Sequence, residues 1–579
     1  MTGSADRFIR LRVWLVGVGF YALLLLIAGR AVYIQVMRGP ELAARAADQY
    51  QTSVRTGAQR GAIRDAEGRP LAVSLEVASV GAHPRQITDK ARTAQRLSDA
   101  LGIKATELTR LLHTERPFVW IQRHVPPDQA RRIEALRLEG ITFQREYSRF
   151  YPNKHLAGQV LGFCNIDGKG LEGIEHRYEA VLNAETQARP AMRDALGRRF
   201  GTGPMAVAQV PAGHDVVLTL NATIQHIAET ALQQAVVDHQ AGAGVALVIE
   251  PSTGAILAMA QAPAFNPNNY RAYSSQQWRN RCITDAFEPG STMKVFIAAA
   301  ALEAGIYTPR SRFYCENGKY RLASHVVHDT KPHAWLTMAE VIKYSSNIGA
   351  IKIGEGLGKA NFHAALQRFG FGDRTGFDFP GETPGSLLPH ERWTTVDAGA
   401  IAFGHGLSLS ALQLATAMGA IANDGILMQP HIVKEIRDPR GQIIEQTQPR
   451  PIRQVVSAAT ARQVRTMLAG VVEPGGTATK AALKDYGAGG KTGTAHKIKP
   501  GGGYDRNRFV ASFVGLAPLD KPRVVVLVVI DEPRRGHYGG TVAAPVFREI
   551  CQKTLNFLNV PPQTDPGTMI LARQAEATG

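Results

Sequence analysis

The chain has 579 residues, 44% apolar and 20% charged, a balance that excludes intrinsic disorder and collagen-like, coiled-coil or low-complexity classes. Sixty-six Lys and Arg against 49 Asp and Glu give a formal charge of +17, which favours anionic surroundings, and the length suits roughly three or four domains. Four cysteines (Cys164, Cys282, Cys315 and Cys551), none in a C-x-x-C pair, exclude a disulfide framework.

At the N-terminus, Arg7, Arg10 and Arg12 precede an uninterrupted apolar run from Val13 to Gly29, and AVYIQV resumes the pattern after Arg30. The run reaches the lower limit of roughly 17 residues for a helical bilayer span, and an arginine near a helix end can snorkel to the headgroups. No small-x-small cleavage site follows before ELAARAADQY, so the pattern predicts an uncleaved transmembrane anchor over 13–37 rather than a signal peptide. Basic residues ahead of a single span place residues 1–12 in the cytoplasm as a short tail and everything after residue 37 outside it. A nucleic-acid role is then excluded, because no basic and aromatic recognition stripe is present and the basic residues lie mostly beyond the membrane.

Residues 38–59 are polar, Ala-rich and helix-prone, a juxtamembrane connector. RGAIRDAEGRPLAVSLEVASVGAHP predicts a strand pair about the Asp65–Gly68 turn, followed by helices near 90–113 and 127–137 and a strand in FQREYSRFYP. The Gly-rich GFCNIDGKGLEGIE closes a mixed α and β region spanning 60–210, with a linker near 200–214. HDVVLTLNATIQHIAETALQQAV then reads as a strand, an Asn221 cap and an amphipathic helix. A second region, 211–558, opens with the hairpin GAGVALVIEPSTGAILAMAQAP and closes with strands in RFVASFVGLAP and PRVVVLVVIDEP and a helix from Ala543 to Leu558. The expectation is a multidomain α/β chain whose last region builds a sheet from both of its ends around a helical insertion. Residues 559–579 read as a loose tail.

Three motifs carry chemistry. In PGSTMK, Ser291 opens an Ala-rich helix and Lys294 lies one turn on, so the amine can reach the hydroxyl. A serine needs a base to become a nucleophile, and a lysine serves only if burial or a second cation depresses its pKa. A helix start also offers backbone N–H groups to an oxyanion. A capped helix with a solvated lysine would have the same local sequence. Ser345-Ser346-Asn347 interrupts an apolar stretch, as either a turn that aims side chains or an N-cap for the next helix. Lys491-Thr492-Gly493-Thr494 lies on a strand where a glycine lets a ligand approach closely and a cation beside hydroxyls suits a carboxylate.

S-x-x-K, S-x-N and K-T-G in this order form the motif set of penicillin-binding proteins and class A β-lactamases. With RGAIRDAEGRPLA, RFYP, LAGQVLGF, GKGLEGIE, FEPGSTMK, YSSNIG, FGHGLSLSALQLA and KTGTAHK, nearly the whole chain resembles a class B penicillin-binding protein, with SSN and KTGTA-x-K leaning to the septal, FtsI-like branch. No glycosyltransferase region lies between the span and residue 60, unlike bifunctional relatives, and SLSALQLA departs from the Thr-Pro common before Leu-Gln-Leu-Ala.

The resemblance implies that 60–210 is a non-catalytic pedestal of the dimerisation type. It also implies that 211–558 is a transpeptidase domain with a five-stranded antiparallel sheet, flanking helices and an all-helical lobe. It implies a D,D-transpeptidase in which Ser291 attacks the D-Ala–D-Ala carbonyl with Lys294 as base, and the backbone N–H groups of Ser291 and Thr494 form the oxyanion hole. Ser345 would relay a proton to the leaving group, Asn347 would bond the substrate amide, Lys491 would supply positive potential, and Thr492, Gly493 and Thr494 would line the carboxylate site. It further implies peptidoglycan stem peptides as substrate, β-lactams as covalent inhibitors, a SEDS-type lipid II polymerase and other division proteins as partners, inner-membrane anchoring at the septum with the catalytic domain periplasmic, and no cofactor.

Cys315, His325, His328, Asp329 and His333 form a His-rich segment whose spacing matches no recognised zinc site, and it reads first as a polar loop. His405 reads as a cleft-lining or structural histidine. Between Asn347 and Lys491 no glutamate stands in the E-x-x-L-N motif that positions a deacylating water in class A β-lactamases, so hydrolysis of an acyl-enzyme is expected to be slow. A rod-elongation transpeptidase, a membrane-bound β-lactam sensor, an idle division scaffold and a D,D-carboxypeptidase remain open on sequence alone.

Overall fold

The computed structural model describes residues 3–55, 59–183, 188–193, 199–200, 212–499 and 501–563. Most of the expected linker at 200–214 and the tail beyond 563 lie outside these residues. Two compact units emerge, one of residues 1–58 and 185–211, the other of 59–184 and 212–579.

The first unit begins with helix α1 (Gly3–Val32), which continues through a single π-helical stretch, Tyr33–Met37. Residues Arg7–Met37 form one apolar helix of 31 residues. At about 1.5 Å per residue, that exceeds a bilayer core of about 30 Å. Its apolar side chains are exposed on every face, as lipid contact requires. The expected tail at 1–12 is helical from Gly3, since no breaker separates it from the span. Arg30 lies over the Tyr33 ring, 5.3 Å from its centroid. Helix α2 (Gly39–Tyr50) runs into strand β1 (Gln51–Arg55), which pairs antiparallel with Ala188–Arg193, and that strand pairs in turn with Arg199–Phe200. The sequence reading predicted helix at the connector but not this sheet.

Among the described residues, the second unit holds a seven-stranded and a five-stranded sheet beside four short strand pairs. The predicted pair about Asp65–Gly68 is β2 (Ile63–Arg64) and β3 (Pro70–Ala82). Helices α3 (Lys90–Leu101) and α4 (Ala105–Leu112) follow, then β4 (Val119–Val125), α5 (Pro127–Ala135) and β5 (Ile141–Phe150). Strand β3 pairs with β4 and, from Val73↔Phe150 to Ala82↔Ile141, with β5. Leu97, Leu108, Leu112 and Ile133 from the three helices close a small core over Val80, Ile121 and Val125.

Strand β6 (Asp215–Leu218) pairs parallel with β2 and antiparallel with Val433–Arg437, which carries Ile443–Gln446 at the sheet edge. The seven-stranded sheet therefore draws on both sides of the expected boundary at residue 210. One buried carboxylate joins three segments of the first region: Glu175 of GLEGIE accepts from Arg60 Nε of RGAIRD and from Arg149 Nε of RFYP, both at 2.6 Å. Burial alone would raise its pKa, but the two guanidiniums hold it below the ordinary value.

Helix α6 (Ala222–Asp238) is capped by Asn221, whose Oδ1 accepts from the Thr223 and Ile224 amides. Strands β7 (Ala243–Ile249) and β8 (Ile256–Ala262) form the predicted hairpin. The five-stranded sheet has the order β8-β7-β11-β10-β9, all antiparallel, where β9 is Gly489–Ile498, β10 Tyr504–Ala517 and β11 Val524–Asp531. Buried helix Ala411–Ala422 and the pair of α6 with Ala544–Phe557 pack on this sheet, which is why β7 and β11 are continuously apolar. Helices dominate the inserted lobe, with two short antiparallel pairs among them, Arg312–Tyr314 with Trp335–Thr337 and Lys319–Leu322 with His325–His328. Strand β9 is one of the two edge strands of the sheet and borders the turn that carries Ser291.

Candidate active site

Gly290–Met293 forms one 3-10 turn that leads directly into α7 (Lys294–Glu303), whose first nine residues are buried. Ser291 stands on the turn and Lys294 opens the helix with no exposed surface; its Nζ lies 3.0 Å from Ser291 Oγ, as the i, i+3 spacing predicts.

Helix α8 (Met338–Tyr344) starts at a Thr337 capping box and ends at Ser345, which is left-handed at φ 60°. Ser346 then caps α9 (Asn347–Leu357), its Oγ accepting from the Gly349 amide at 2.9 Å. Both sequence readings of this motif hold together: Ser346 is the cap, and Ser345 and Asn347 on either side of it turn toward Lys294. Lys294 Nζ donates to the Ser345 carbonyl at 2.6 Å and to Asn347 Oδ1 at 2.7 Å, and lies 3.2 Å from Ser345 Oγ. Asn347 Nδ2 donates to the His328 carbonyl at 3.0 Å, which fixes the amide with its oxygen toward the lysine.

Lys491 on β9 is also fully buried, and its Nζ reaches Ser345 Oγ at 2.9 Å and Thr492 Oγ1 at 3.2 Å. Ser345 Oγ thus bridges two lysine amines. Burial lowers Lys294 to about 7, against the opposing pull of Asp329. Burial, with Lys294 beside it, carries Lys491 well below its usual value. Thr494 Oγ1 accepts from the Gly539 amide at 3.2 Å.

Three glycines let the turn and the strand meet. A Cβ on Gly493 would lie 2.7 Å from the Pro289 carbonyl oxygen, and one on Gly290, at φ +54°, would lie 2.9 Å from that of Thr494. A Cβ on Gly404 would lie 1.9 Å from the Gly290 carbonyl oxygen, and the Gly404 carbonyl accepts from the Gly290 amide at 3.0 Å. The turn that carries Ser291 is therefore held between β9 and the FGHG loop, with the backbones of Gly290 and Thr494 in close approach.

Two residues to which the three motifs assign no part matter here. Buried Glu288 accepts from the Gly406 amide at 2.8 Å and from Tyr504 Oη at 3.1 Å, and its other oxygen meets His405 Nδ1 at 2.8 Å. It ties the Ser291 turn to the FGHG loop and the β9–β10 hairpin, which gives His405 a structural partner. Asp329 accepts from the Asn347 and Ile348 amides and from Ser346 Oγ. A cue for Glu288 was its place three residues before Ser291; Asp329 had none beyond its neighbouring histidines.

The rest of the His-rich segment disperses. Cys315 is buried with its Sγ 3.5 Å from Ser346 Oγ, His333 stacks on Tyr344, and His325 Nδ1 meets Ser324 Oγ. Among the described residues no group of three or more His, Cys, Asp or Glu could hold a metal. In the departure SLSALQLA, Ser410 and Gln413 form a capping box at the start of Ala411–Ala422, so serine supplies the turn. Of the six glutamates between Asn347 and Lys491, Glu355 meets Tyr320, Glu382 meets Thr375, Glu435 meets Arg437 and Glu473 meets Lys343. None hydrogen-bonds Ser291 or Lys294 among the described residues.

Residues 244–552 match the family model of the penicillin binding protein transpeptidase domain, and residues 55–218 match that of the penicillin-binding protein dimerisation domain. The chain is similar to the probable peptidoglycan D,D-transpeptidase PenA of Neisseria meningitidis, with 36% identity over 549 residues, 93% of this chain and 92% of that one. It is similar to the peptidoglycan D,D-transpeptidase FtsI of Escherichia coli, with 33% identity over 563 residues, 95% and 93% of the two chains. Among solved structures, penicillin-binding protein 3 of Mycobacterium tuberculosis in complex with aztreonam superposes with a TM-score of 0.68 at 29% identity, over 88% of this chain and 98% of that one.

Proposed function

Because the chain belongs to the class B penicillin-binding proteins and is a peptidoglycan D,D-transpeptidase of that family, we propose that it cross-links stem peptides through an acyl-enzyme on Ser291. The observation that carries this reading is the surroundings of Lys294 Nζ. Two of its neighbours, the Ser345 carbonyl and Asn347 Oδ1, can only accept hydrogen bonds. They take the two N–H bonds of a neutral amine and leave its lone pair for the Ser291 hydroxyl at 3.0 Å. Burial, which lowers the amine to about 7, favours that neutral form near neutral pH.

Ser291 Oγ attacks the carbonyl of the D-Ala–D-Ala bond while its proton passes to Lys294. The backbone N–H groups of Ser291 and Thr494 hold the oxyanion. Collapse breaks the peptide bond, and the proton travels from Lys294 through Ser345 Oγ to the departing D-Ala amine. An amine of a neighbouring stem peptide then attacks the ester, gives its proton back through Lys294, and restores the Ser291 hydroxyl as the cross-link closes. Asn347 keeps its second Nδ2 proton for the substrate amide. Thr492 and Thr494 receive the terminal carboxylate, whose charge favours the protonated form of Lys491. With no Asp or Glu hydrogen-bonded to Ser291 or Lys294 among the described residues, a β-lactam would leave a long-lived adduct.

The septal role rests on the SSN and KTGTA-x-K segments and on likeness to FtsI. In this reading α1 anchors the chain in the inner membrane with residues 1–12 cytoplasmic, the pedestal spans 60–210 and the periplasmic transpeptidase domain 211–558. A SEDS-type lipid II polymerase and other division proteins are its membrane partners. The test uses the purified full-length protein with a donor pentapeptide and an amine acceptor. Formation of the cross-linked product with release of D-Ala, abolished in Ser291→Ala, is the expected result. Release of D-Ala with only hydrolysed donor would mark a carboxypeptidase. A fluorescent fusion should gather at midcell in dividing cells, and uniform lateral labelling would refute the septal role.

A further inference from the structure

We propose that the cavity at the seam of the first region and the transpeptidase domain is an effector site for a free stem peptide, whose amine meets Glu172 and whose carboxylate meets Arg279. The site is separate from the Ser291 cleft. It takes only the chemical class of its ligand from the cross-linking reaction proposed for Ser291, and rests on that reading to this extent.

The cavity has a volume of about 360 Å³ and lies between Glu172 of GLEGIE, a wall from residues 275–284, and the loop 379–381. Small ligands bind in pockets of roughly 300–1,000 Å³. The walls are fixed without a ligand. Trp278 Nε1 donates to the Tyr270 carbonyl at 3.2 Å, its ring meets Phe163 edge to face, and Phe379 stacks on Phe377. Asp378, beside Phe379, accepts from Arg177 Nε and Tyr178 Oη, both at 2.6 Å, which ties the loop to the chain just after Glu172.

Two groups on these walls are incompletely satisfied. The Glu172 carboxylate makes no hydrogen bond or ion pair among the described residues; burial raises its pKa and only His176 opposes this. Arg279 spends Nη2 on Asp285, at 3.0 Å and 3.1 Å from its two oxygens, while its Nε is buried with no acceptor. A ligand with an ammonium and a carboxylate answers both walls, and charge-assisted hydrogen bonds of this kind are the strong ones. A stem peptide that is not cross-linked carries both groups. A neutral sugar would offer hydroxyl donors to Glu172 but no anion to Arg279, so the charges favour peptide over glycan.

Both walls lead to the clamp on Ser291. Residues 275–284 continue through the strand Ala286–Phe287, which pairs with Ser410 and Leu409, into Glu288 and the Ser291 turn. The opposite wall continues from Gly381 to Ser386, which exchanges backbone hydrogen bonds of 2.8 Å and 3.0 Å with Ser408, just beyond the FGHG loop. The walls also touch, since the Thr383 amide donates to the Ile283 carbonyl at 3.0 Å. A peptide that bridges them restrains the two segments that hold Ser291. Its binding should therefore raise the fraction of enzyme poised for acylation.

The experiment uses the full-length protein and the tripeptide L-Ala-D-γ-Glu-meso-diaminopimelate, which has no D-Ala–D-Ala bond to attack. Calorimetric titration of protein already acylated by benzylpenicillin excludes the Ser291 cleft and should show saturable binding. Acetylation of both peptide amines, Glu172→Gln and Arg279→Gln should each weaken that binding about tenfold. On unblocked protein, saturating tripeptide should raise the rate of labelling by a fluorescent penicillin about fivefold. Binding that disappears once the cleft is blocked, equal binding by wild type and both variants, or binding that leaves the labelling rate unchanged overturns the inference. An equal response to a peptide-free wall disaccharide also overturns it. If a variant fails to fold, the acetylated peptide decides by the same criterion. An adduct on a serine other than Ser291 would instead refute the assignment of the nucleophile and leave the binding result standing.

Discussion

Lys294 is a lysine at the mouth of a helix whose next eight residues, Val295 to Leu302, are all apolar, and its environment explains why it is there. Replacing it with arginine would keep a cation but not a base, because a guanidinium does not deprotonate near neutral pH. Lys294→Arg should therefore reduce penicillin acylation by roughly 10²–10⁴-fold with the melting profile little changed, and near-normal labelling would show that another group takes the proton. In the wild type the acylation rate should rise with pH through about 7, where Lys294 becomes neutral, and then level off. Ser291 and Lys294 were legible in sequence because three residues of helix define their contact. Glu288 and Asp329 were not. Their partners come from distant segments (His405 lies 117 positions from Glu288), and only the folded chain brings them together.

At the scale of elements, the turn that carries Ser291 depends on how closely three segments approach. Gly404 has φ +89° and its position would drive a Cβ to 1.9 Å from the Gly290 carbonyl oxygen. Gly404→Ala should displace Ser291 and lower acylation by about 100-fold. Gly419→Ala, in a helix where a Cβ meets nothing within 4 Å, should leave labelling unchanged. Equal labelling of both variants would contradict the account of a turn clamped between β9 and the FGHG loop. The hairpin of β7 and β8, the Asn221 cap and the three strands closing the sheet were readable because alternation, turn residues and apolar runs are local signals. Strand β1 was not, because its partner for Gln51 is Met192 and nothing local announces a pairing across so long a separation. The two short strand pairs in the helical lobe carry too few residues to show a period.

Across the whole molecule, the first region and the transpeptidase domain share a sheet and buried polar links. Glu229 on α6 is nine-tenths buried and accepts from the Ala157 amide at 2.7 Å and from Gln225 Nε2 at 2.8 Å. Burial raises its carboxyl to about 7. A folded-state value above the unfolded one means that the native protein holds a proton the unfolded chain has released. The group's contribution is fully present below about pH 4.5 and is lost as pH rises through 7. Glu229→Gln mimics the protonated acid at every pH. Its stability advantage over wild type should grow between about pH 5 and about pH 8 by on the order of 2–3 kcal/mol, measured by chemical denaturation. A difference that does not vary with pH would contradict this. The long apolar N-terminal helix and the order of the two matched family regions were readable in sequence, since apolar length and motif order are linear properties. The boundary at residue 210 was read from the linker near 200–214, and the sheet pairing of β6 with strands before and after it is a long-range contact that no local signal announces.

The central claim is that Ser291, activated by Lys294, becomes acylated and that no group in the site then activates water against the ester. The most direct measurement is to treat the full-length protein with benzylpenicillin, remove free drug, digest, and follow the penicilloyl mass by peptide over time. The account predicts a single adduct on the peptide containing Ser291, persisting for on the order of many minutes while no hydrolysed drug accumulates. An adduct on another serine, or loss of the Ser291 adduct within seconds with release of penicilloic acid, would contradict it.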